Sequence, residues 1–153
     1  MDNPTEFNAR TNAPPLAGLK TKSNIVGIVG PVESGDAIKF NKGVVQGVKA
    51  VNPNADVRIA YTGSFGDLVA AAEIARTHIK AGADILTGSA QQTVGAINVT
   101  KEFEKILWLS TDMDKASLST NTVLASQAYN FKMVVENILK KISPATPVGS
   151  LTP

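Results

Sequence analysis

Polar and aromatic side chains in glycine-bearing segments are the groups of this 153-residue chain best suited to chemistry. Phe65 lies in Thr62-Gly-Ser-Phe-Gly-Asp67, where the nearby glycines leave little side chain to cover its ring. Such a ring can stack on a flat ligand or cover a partner surface, and packing in the core is the alternative. Asp112 and Asp114, in Ser110-Thr-Asp-Met-Asp114, can accept hydrogen bonds from ligand hydroxyls, or one of the two can serve a turn.

Metal and catalytic chemistry are weakly indicated. A metal site would require more oxygen ligands than Asp112 and Asp114, and Glu33 is the only other obvious acid in the corresponding loops. His78, the single histidine, lies inside a helical pattern far from any candidate serine, so we expect it to face solvent or pack on a helix. Gly63-Ser-Phe-Gly66 matches a nucleophile elbow only in part, and neither a Walker loop nor a complete G-x-G-x-x-G is present. We therefore predict no enzyme, no metal and no cofactor.

Composition indicates one soluble globular domain. Hydrophobic residues make up 43% and charged residues 18%, and the net charge is +2 without a basic stripe, so nucleic acid is not a predicted partner. The absence of cysteine excludes disulfides and thiolate chemistry. Residues 1–15 are polar and lack the apolar core of a signal peptide, and no apolar run approaches the roughly 18 residues of a membrane span.

Apolar spacing predicts strands that alternate with helices from Asn24 onward. Residues 1–23, with their prolines, are predicted to form an extended leader, residues 24–142 one α/β lobe, and residues 143–153 a proline-bearing tail. The alternation predicts a three-layer, doubly wound fold with a mostly parallel five-stranded sheet. The predicted strands are 25–29, 57–61, 84–87, 106–109 and 122–126, and the predicted helices are 37–51, 68–80 (with Asp67 as N-cap), 92–104 and 131–142.

The polar and glycine-rich residues follow the predicted strands. In an open parallel sheet, ligands bind beyond the carboxyl ends of the strands, near the point where the strand order reverses. Glycines are also needed in tight turns whether or not a ligand binds, so no single loop is decisive. The segments concerned are 30–35, 62–67, 88–92, 110–114 and 126–130.

Eight segments follow one another in an order and spacing that are quite specific together. They are Leu16-Ala-Gly18, Thr21-Lys-Ser-Asn24, the strand Ile25–Val29, Gly43-Val-Val-Gln-Gly-Val-Lys-Ala-Val-Asn-Pro53, Tyr61-Thr-Gly-Ser-Phe-Gly-Asp67, Ala81-Gly-Ala-Asp-Ile85, Ser110-Thr-Asp-Met-Asp114 and Val123-Leu-Ala-Ser126. In this arrangement they resemble the basic membrane protein family of purine nucleoside receptors. These receptors are substrate-binding lipoproteins of ABC transporters, built from two lobes that close over a nucleoside. The resemblance covers roughly residues 16–142 and implies a flavodoxin-like lobe of a type I periplasmic binding protein, matching the second lobe only.

The resemblance implies roles for individual residues. Phe65 matches the phenylalanine that stacks on the purine, and Asp112 matches the aspartate that binds the ribose hydroxyls. The matching pocket-lining loop after the third strand consists of Gly88, Ser89, Ala90, Gln91 and Gln92.

Two departures alter the expected pocket. Gln91 and Gln92 replace a glycine pair that is frequent in nucleoside-binding members, so the pocket is expected to be bulkier and more polar. Tyr129 stands where a lysine is expected near the start of the last helix. A flat or hydroxylated ligand remains the expectation.

Partners and location also follow from the resemblance. It implies an ABC permease as partner, an extracytoplasmic site of action, a first lobe preceding residue 16 and a lipid-anchoring cysteine. Since neither of the last two is seen, we expect either a fragment of a two-lobe protein or a single lobe that closes its site against another chain, such as a second copy.

Three functions are therefore considered. The first is a solute-binding lobe for a nucleoside-like small molecule. The second is an interaction or dimerisation module whose ligand face is a protein interface. The third and weakest is an enzyme of doubly wound fold acting on a small sugar or nucleoside.

Overall fold

The computed structural model describes residues 13–128 and 131–142, which form one parallel sheet with helices on both faces. The strands are β1 (Ile25–Gly30), β2 (Asp56–Tyr61), β3 (Ile85–Gly88), β4 (Leu107–Ser110) and β5 (Val123–Ser126). The helices are α1 (Ala13–Lys20), α2 (Gly35–Val51), α3 (Leu68–Lys80), α4 (Thr93–Thr100) and α5 (Phe131–Ile142), with a short 3₁₀ turn at Ala116–Leu118.

The strand order is β2-β1-β3-β4-β5, and all four pairings are parallel. This confirms the predicted α/β class and the five-stranded doubly wound sheet. The chain leaves β1 toward one edge and continues from β3 toward the other, so the order reverses between these two strands. Their carboxyl ends therefore border the crevice where ligands bind in such sheets.

Two apolar layers hold the helices to the sheet. On one face, α1 and α2 pack through Ala17, Val44 and Val48. On the other face, α3 and α4 pack through small residues such as Ala71 and Ala96 around the buried Trp108. Because β1 and β3 lie beneath helices on both faces, β1 is apolar throughout, and β3 is buried at every position, including the polar Thr87.

Local signals fix several element ends. The side chain of Asp67 accepts a hydrogen bond from the Ala70 amide at 2.9 Å, which confirms it as the N-cap of α3. Gly82 follows α3 with a φ of +93°, as expected of a glycine that ends a helix. Helix α4 is shorter than the predicted 92–104, because the amides of Glu102 and Phe103 bond three residues back and tighten the chain into turns.

The prediction of an extended leader over residues 1–23 is wrong for Ala13–Lys20, which forms α1. Pro14 and Pro15 lie in its first turn, where the missing amide hydrogens have no intrahelical acceptor to lose. Helix α1 packs closely on α2 because Gly18 has no side chain: a methyl group there would lie 2.8 Å from the carbonyl oxygen of Val48.

Helix α5 stands apart from both apolar layers. Its described side chains, residues 131–141, are all exposed, including Phe131, Val134, Ile138 and Leu139. The predicted bounds 131–142 match, but this helix belongs to neither core cluster. The predicted tail, residues 143–153, lies outside the described residues.

Candidate functional site

Hydrogen bonds join the five loops at the carboxyl ends of the strands into one rim. Three of the bonds link the loops of neighbouring strands, and the fourth, between Gln92 and Phe65, reaches past β1 to join the loops after β3 and β2. The rim is therefore positioned by the sheet rather than by any single loop. The bonds are Thr62 Oγ1 to the Pro31 carbonyl (3.1 Å), the Gln92 amide to the Phe65 carbonyl (3.0 Å), the Ala90 amide to Asp112 Oδ2 (3.2 Å), and the Lys115 amide to Ser126 Oγ (3.2 Å).

Phe65 presents its ring to solvent at this rim. Its side chain is 58% exposed, which excludes core packing in this structure. The loop around it is ordered by Thr62, whose single hydroxyl hydrogen is shared between the Ser64 carbonyl at 2.6 Å and the Pro31 carbonyl at 3.1 Å. Since the Phe65 carbonyl also accepts the Gln92 amide, an exposed aromatic face is held beside the loop that follows β3.

A hydrogen bond connects Asp112, in the loop after β4, with Ala90, in the loop after β3. Both are non-glycine residues with left-handed φ values, +72° for Asp112 and +71° for Ala90. Asp112 Oδ2 accepts from the Ala90 amide at 3.2 Å and lies 3.4 Å from the Thr111 hydroxyl. Left-handed conformations cost a non-glycine residue about 1–2 kcal/mol, and such strain concentrates at functional sites.

Asp114 has a local structural role. Its Oδ1 accepts a hydrogen bond from the Ala116 amide at 2.9 Å, which begins the 3₁₀ turn. This bond, with a further contribution from the Ser126 hydroxyl, lowers the pKa of Asp114. One acid of the pair therefore serves a turn, which was one of the two alternatives considered, and Asp112 is left as the acid of the rim.

The loop after β3 divides into an accessible and a buried part. Ser89 is half-buried and Gln91 is exposed, so both can reach a ligand. Gln92 is fully buried at 0% exposure. Its side-chain amide nitrogen and oxygen, Nε2 and Oε1, have no hydrogen-bond partner in the described structure. Gly88 is also buried, and the absence of a side chain leaves room for the carbonyl of Val29 and the methyl of Thr93.

Lys115 is a rim residue that the sequence analysis missed. It is only 6% exposed, and its Nζ donates to Thr93 Oγ1 at 3.1 Å at the start of α4. Burial lowers the pKa of Lys115, and the negative charge of Asp112 partly opposes that shift. No pattern of neighbouring residues distinguishes a buried lysine from a surface one, so only the fold reveals it.

The remaining candidates lie elsewhere. Tyr129 lies outside the described residues. His78 packs from α3 against β1, where Nε2 lies 3.2 Å from the Ile28 carbonyl oxygen, so this nitrogen carries the proton and donates. Burial lowers the pKa of His78, with the Ile28 carbonyl opposing the shift and the charge of Arg58 adding to it. The histidine is therefore a packed residue of the fold.

Other kinds of site find little support in the described part of the chain. Within residues 13–128 and 131–142, no group of three or more His, Asp or Glu side chains is arranged to hold a metal ion. None of the described helices is both long and apolar enough to cross a bilayer. A cavity of about 350 Å³ is lined by Lys101 and residues 117–122, but it lies at the amino ends of the strands, opposite the rim.

Comparison with protein families shows the family to which this chain belongs. A family model described as "ABC transporter substrate-binding protein PnrA-like" matches residues 15–151. The chain belongs to this family. The resemblance to basic membrane proteins found in the sequence is thereby confirmed, and the family is a solute-binding one.

Relatives and solved structures agree with this assignment. The chain is 27% identical over 136 residues to the CD4+ T-cell-stimulating antigen of Listeria innocua, covering 85% of this chain and 38% of that protein. It is also 27% identical over 146 residues to the ABC transporter nucleoside-binding protein BmpA of Lactococcus lactis, covering 87% of this chain and 42% of the relative. The chain thus spans about two fifths of the length of these relatives.

The fold itself recurs in solved structures. An ABC transporter solute-binding protein from Conexibacter woesei superposes with a TM-score of 0.70 at 22% identity, covering 86% of this chain and 43% of that protein. At this identity the likeness shows the fold alone, which is that of periplasmic binding proteins.

Proposed function

We propose that this chain is a solute-binding lobe that recognises a nucleoside-like small molecule at the carboxyl ends of its strands. The exposed Phe65 ring is the observation that carries the proposal, because a flat apolar face held beside polar loops suits a base. Asp112 accepts hydrogen bonds from sugar hydroxyls, and Ser89 and Gln91 supply further polar contacts. The relative from Lactococcus lactis, whose name states nucleoside binding, supports the same ligand class.

The Phe65 ring and the polar groups contribute to binding in different ways. Stacking is tolerant of base identity, since every base has a π face, so Phe65 supplies affinity rather than selection. Selection among ligands falls to the polar groups, because an unpaired hydroxyl or carboxylate in the closed site is costly. We accordingly propose a binding protein without catalysis, acting outside the cytoplasm and delivering its ligand to an ABC permease.

A thermal-shift series with a matched pair of variants tests the stacking role. Phe65→Ala should weaken binding of a purine nucleoside about ten- to hundredfold, as removal of one base-stacking ring does elsewhere. Phe103→Ala is the control, since Phe103 is also partly exposed but lies after α4, at the opposite end of the sheet. If the nucleoside raised the Tm of wild type and of Phe65→Ala equally, the stacking role of Phe65 would be refuted.

A second candidate function is an interface that covers the same rim. Leu68, Val69 and Met113 are exposed around the Phe65 and Asp112 loops, with Val69 at 75%, so apolar surface extends beyond the ring itself. We propose that another protein surface closes over it, supplied either by a first lobe of the kind found in two-lobe receptors or by a second copy of this chain.

Light scattering over a concentration series distinguishes these two sources. A second copy predicts a mass that rises toward the dimer with concentration and falls back in Val69→Asp. Leu19→Asp is the control, because Leu19 is similarly exposed but lies on α1. A monomer at every concentration would exclude self-association and leave a different lobe as the covering surface.

A further inference from the structure

Lys115 is a buried cation that the fold does not fully pair. Within the described residues, no carboxylate oxygen lies within the 4.0 Å of an ion pair from its ammonium. Its hydrogen-bond partner there is Thr93 Oγ1, at 3.1 Å. An ammonium has three donors, so two remain for another acceptor. Burying a charge with unused donors is costly, which makes an accidental placement of this lysine improbable.

Three hydrogen bonds connect Lys115 and Asp112 through residues 90–93, the segment between β3 and α4. The Lys115 ammonium donates to the Thr93 hydroxyl, and that hydroxyl donates to the Ala90 carbonyl at 2.7 Å. The amide of the same Ala90 donates to Asp112 Oδ2. Thus a cation and an anion are both anchored on residues 90–93, directly after the strand that borders the crevice of the sheet.

The backbone is strained where these groups meet. Ala90 and Asp112 both adopt left-handed φ values, and Ala90 has no side-chain hydrogen bond to offset its cost. The conformation of Ala90 directs its amide to Asp112 and its carbonyl to Thr93. These two hydrogen bonds hold Ala90 in its strained conformation, and this conformation places its amide and carbonyl beside the groups that contact Asp112 and Lys115.

We propose that Lys115 and Asp112 together recognise a ligand hydroxyl, with the Lys115 ammonium donating to the hydroxyl oxygen and the hydroxyl donating to the Asp112 carboxylate. A hydroxyl is both donor and acceptor, so it satisfies both groups at once. An anionic ligand group would satisfy Lys115 but be repelled by Asp112. This inference rests on the proposed nucleoside-binding function and assigns Lys115 as a residue that determines specificity for the sugar.

The test combines variants of the protein with variants of the ligand. Affinity for inosine and for 2′,3′-dideoxyinosine is measured by calorimetry on wild type, Lys115→Met and Lys115→Gln. Lys101→Met is the control, because Lys101 is exposed at the end of α4 and its ammonium donates to Asn98 Oδ1 at 2.8 Å, a local contact away from the rim. Methionine preserves much of the buried volume without charge, and glutamine retains a donor, so failure of one variant to fold leaves the other.

The expected result is a loss of affinity in the Lys115 variants that occurs only for the ligand with sugar hydroxyls. Lys115→Met should weaken inosine binding about tenfold or more, with Lys115→Gln intermediate, while dideoxyinosine binding changes less than about twofold. Equal weakening for both ligands would show that Lys115 only supports the structure and would overturn the proposal, as would unchanged inosine binding.

Wild-type behaviour separates this proposal from the function on which it rests. Wild type that binds inosine and its dideoxy analogue equally well would overturn hydroxyl recognition but preserve nucleoside binding. Wild type that binds neither would overturn both. Tighter binding of inosine monophosphate than of inosine, lost in Lys115→Met, would show that Lys115 pairs with an anion and would also contradict the assignment.

Discussion

A methyl group at Gly95 should disturb both the packing of α4 and the position of the Phe65 ring. Helices α3 and α4 approach so closely that a Cβ at Gly95 would overlap the carbonyl oxygen of Leu68 and lie 2.9 Å from its Cα. These are backbone atoms, which cannot rotate away as a side chain can. The two helices must therefore separate, and the hydrogen bond from the Gln92 amide to the Phe65 carbonyl lengthens as they do.

Three contributions set the magnitude for Gly95→Ala. Forcing a methyl group into close-packed structure costs about 1–3 kcal/mol. Lengthening the 3.0 Å bond from the Gln92 amide to the Phe65 carbonyl costs about 1 kcal/mol. Alanine in a helix returns about 1 kcal/mol relative to glycine. The free energy of unfolding should fall by about 2 kcal/mol, which lowers Tm by about 4–8 °C for a chain of this size.

Urea unfolding and calorimetric melts measure this loss, with Gly66→Ala as the matched control. A methyl at Gly66 meets no atom within 4 Å, so its stability should change by less than about 1 kcal/mol. Gly95→Ala should also weaken nucleoside binding, because the Phe65 loop moves. A Gly95→Ala protein with wild-type stability and wild-type affinity would refute the claim that this close approach positions the ring.

Two further predictions concern stability against pH. Burial lowers the pKa of His78 below 6.5, so the native state binds fewer protons than the unfolded chain. The free energy of unfolding should therefore fall as pH drops below about 6.5, by at most about 1.4 kcal/mol per pH unit. His78→Gln should flatten this slope in urea titrations between pH 7 and pH 5, and an unchanged slope would exclude His78 as its source. Burial would raise the pKa of Asp84, but hydrogen bonds from the Thr21 hydroxyl and the Lys22 and Ser23 amides outweigh it and lower the pKa below 3.8. Asp84→Ala should therefore cost about 1–2 kcal/mol at pH 7, and the difference from wild type should vanish as pH falls through the lowered pKa; a pH-independent difference would contradict this account.

The sheet could be predicted because its signals are local. Each buried strand is a continuous apolar run such as Ile25–Val29, and helical spacing fills the intervals between the strands. The N-cap at Asp67 and the glycine after α3 are likewise determined by neighbouring residues. The alternation of strands with helical crossovers then predicts a parallel sheet, and the loops that follow its strands meet at their carboxyl ends.

The prediction from sequence is wrong or incomplete where contacts between residues far apart in the chain determine the structure. Pro14 and Pro15 discourage a helix in general, yet they are tolerated in the first turn of α1, which is stabilised by packing on α2. Periodicity predicted α5 but could not show that its apolar residues stay outside the cores. The burial of Lys115 against Thr93 depends on two loops meeting, and no local pattern predicts such a meeting.

Calorimetric titration of the purified chain with inosine is the most direct test of nucleoside binding at the strand ends. We predict saturable binding at a single site, with heat that disappears when inosine is replaced by ribose alone and is greatly reduced in Phe65→Ala. A folded chain that gives no binding heat up to millimolar inosine would contradict the account and would favour a rim used only as a protein interface.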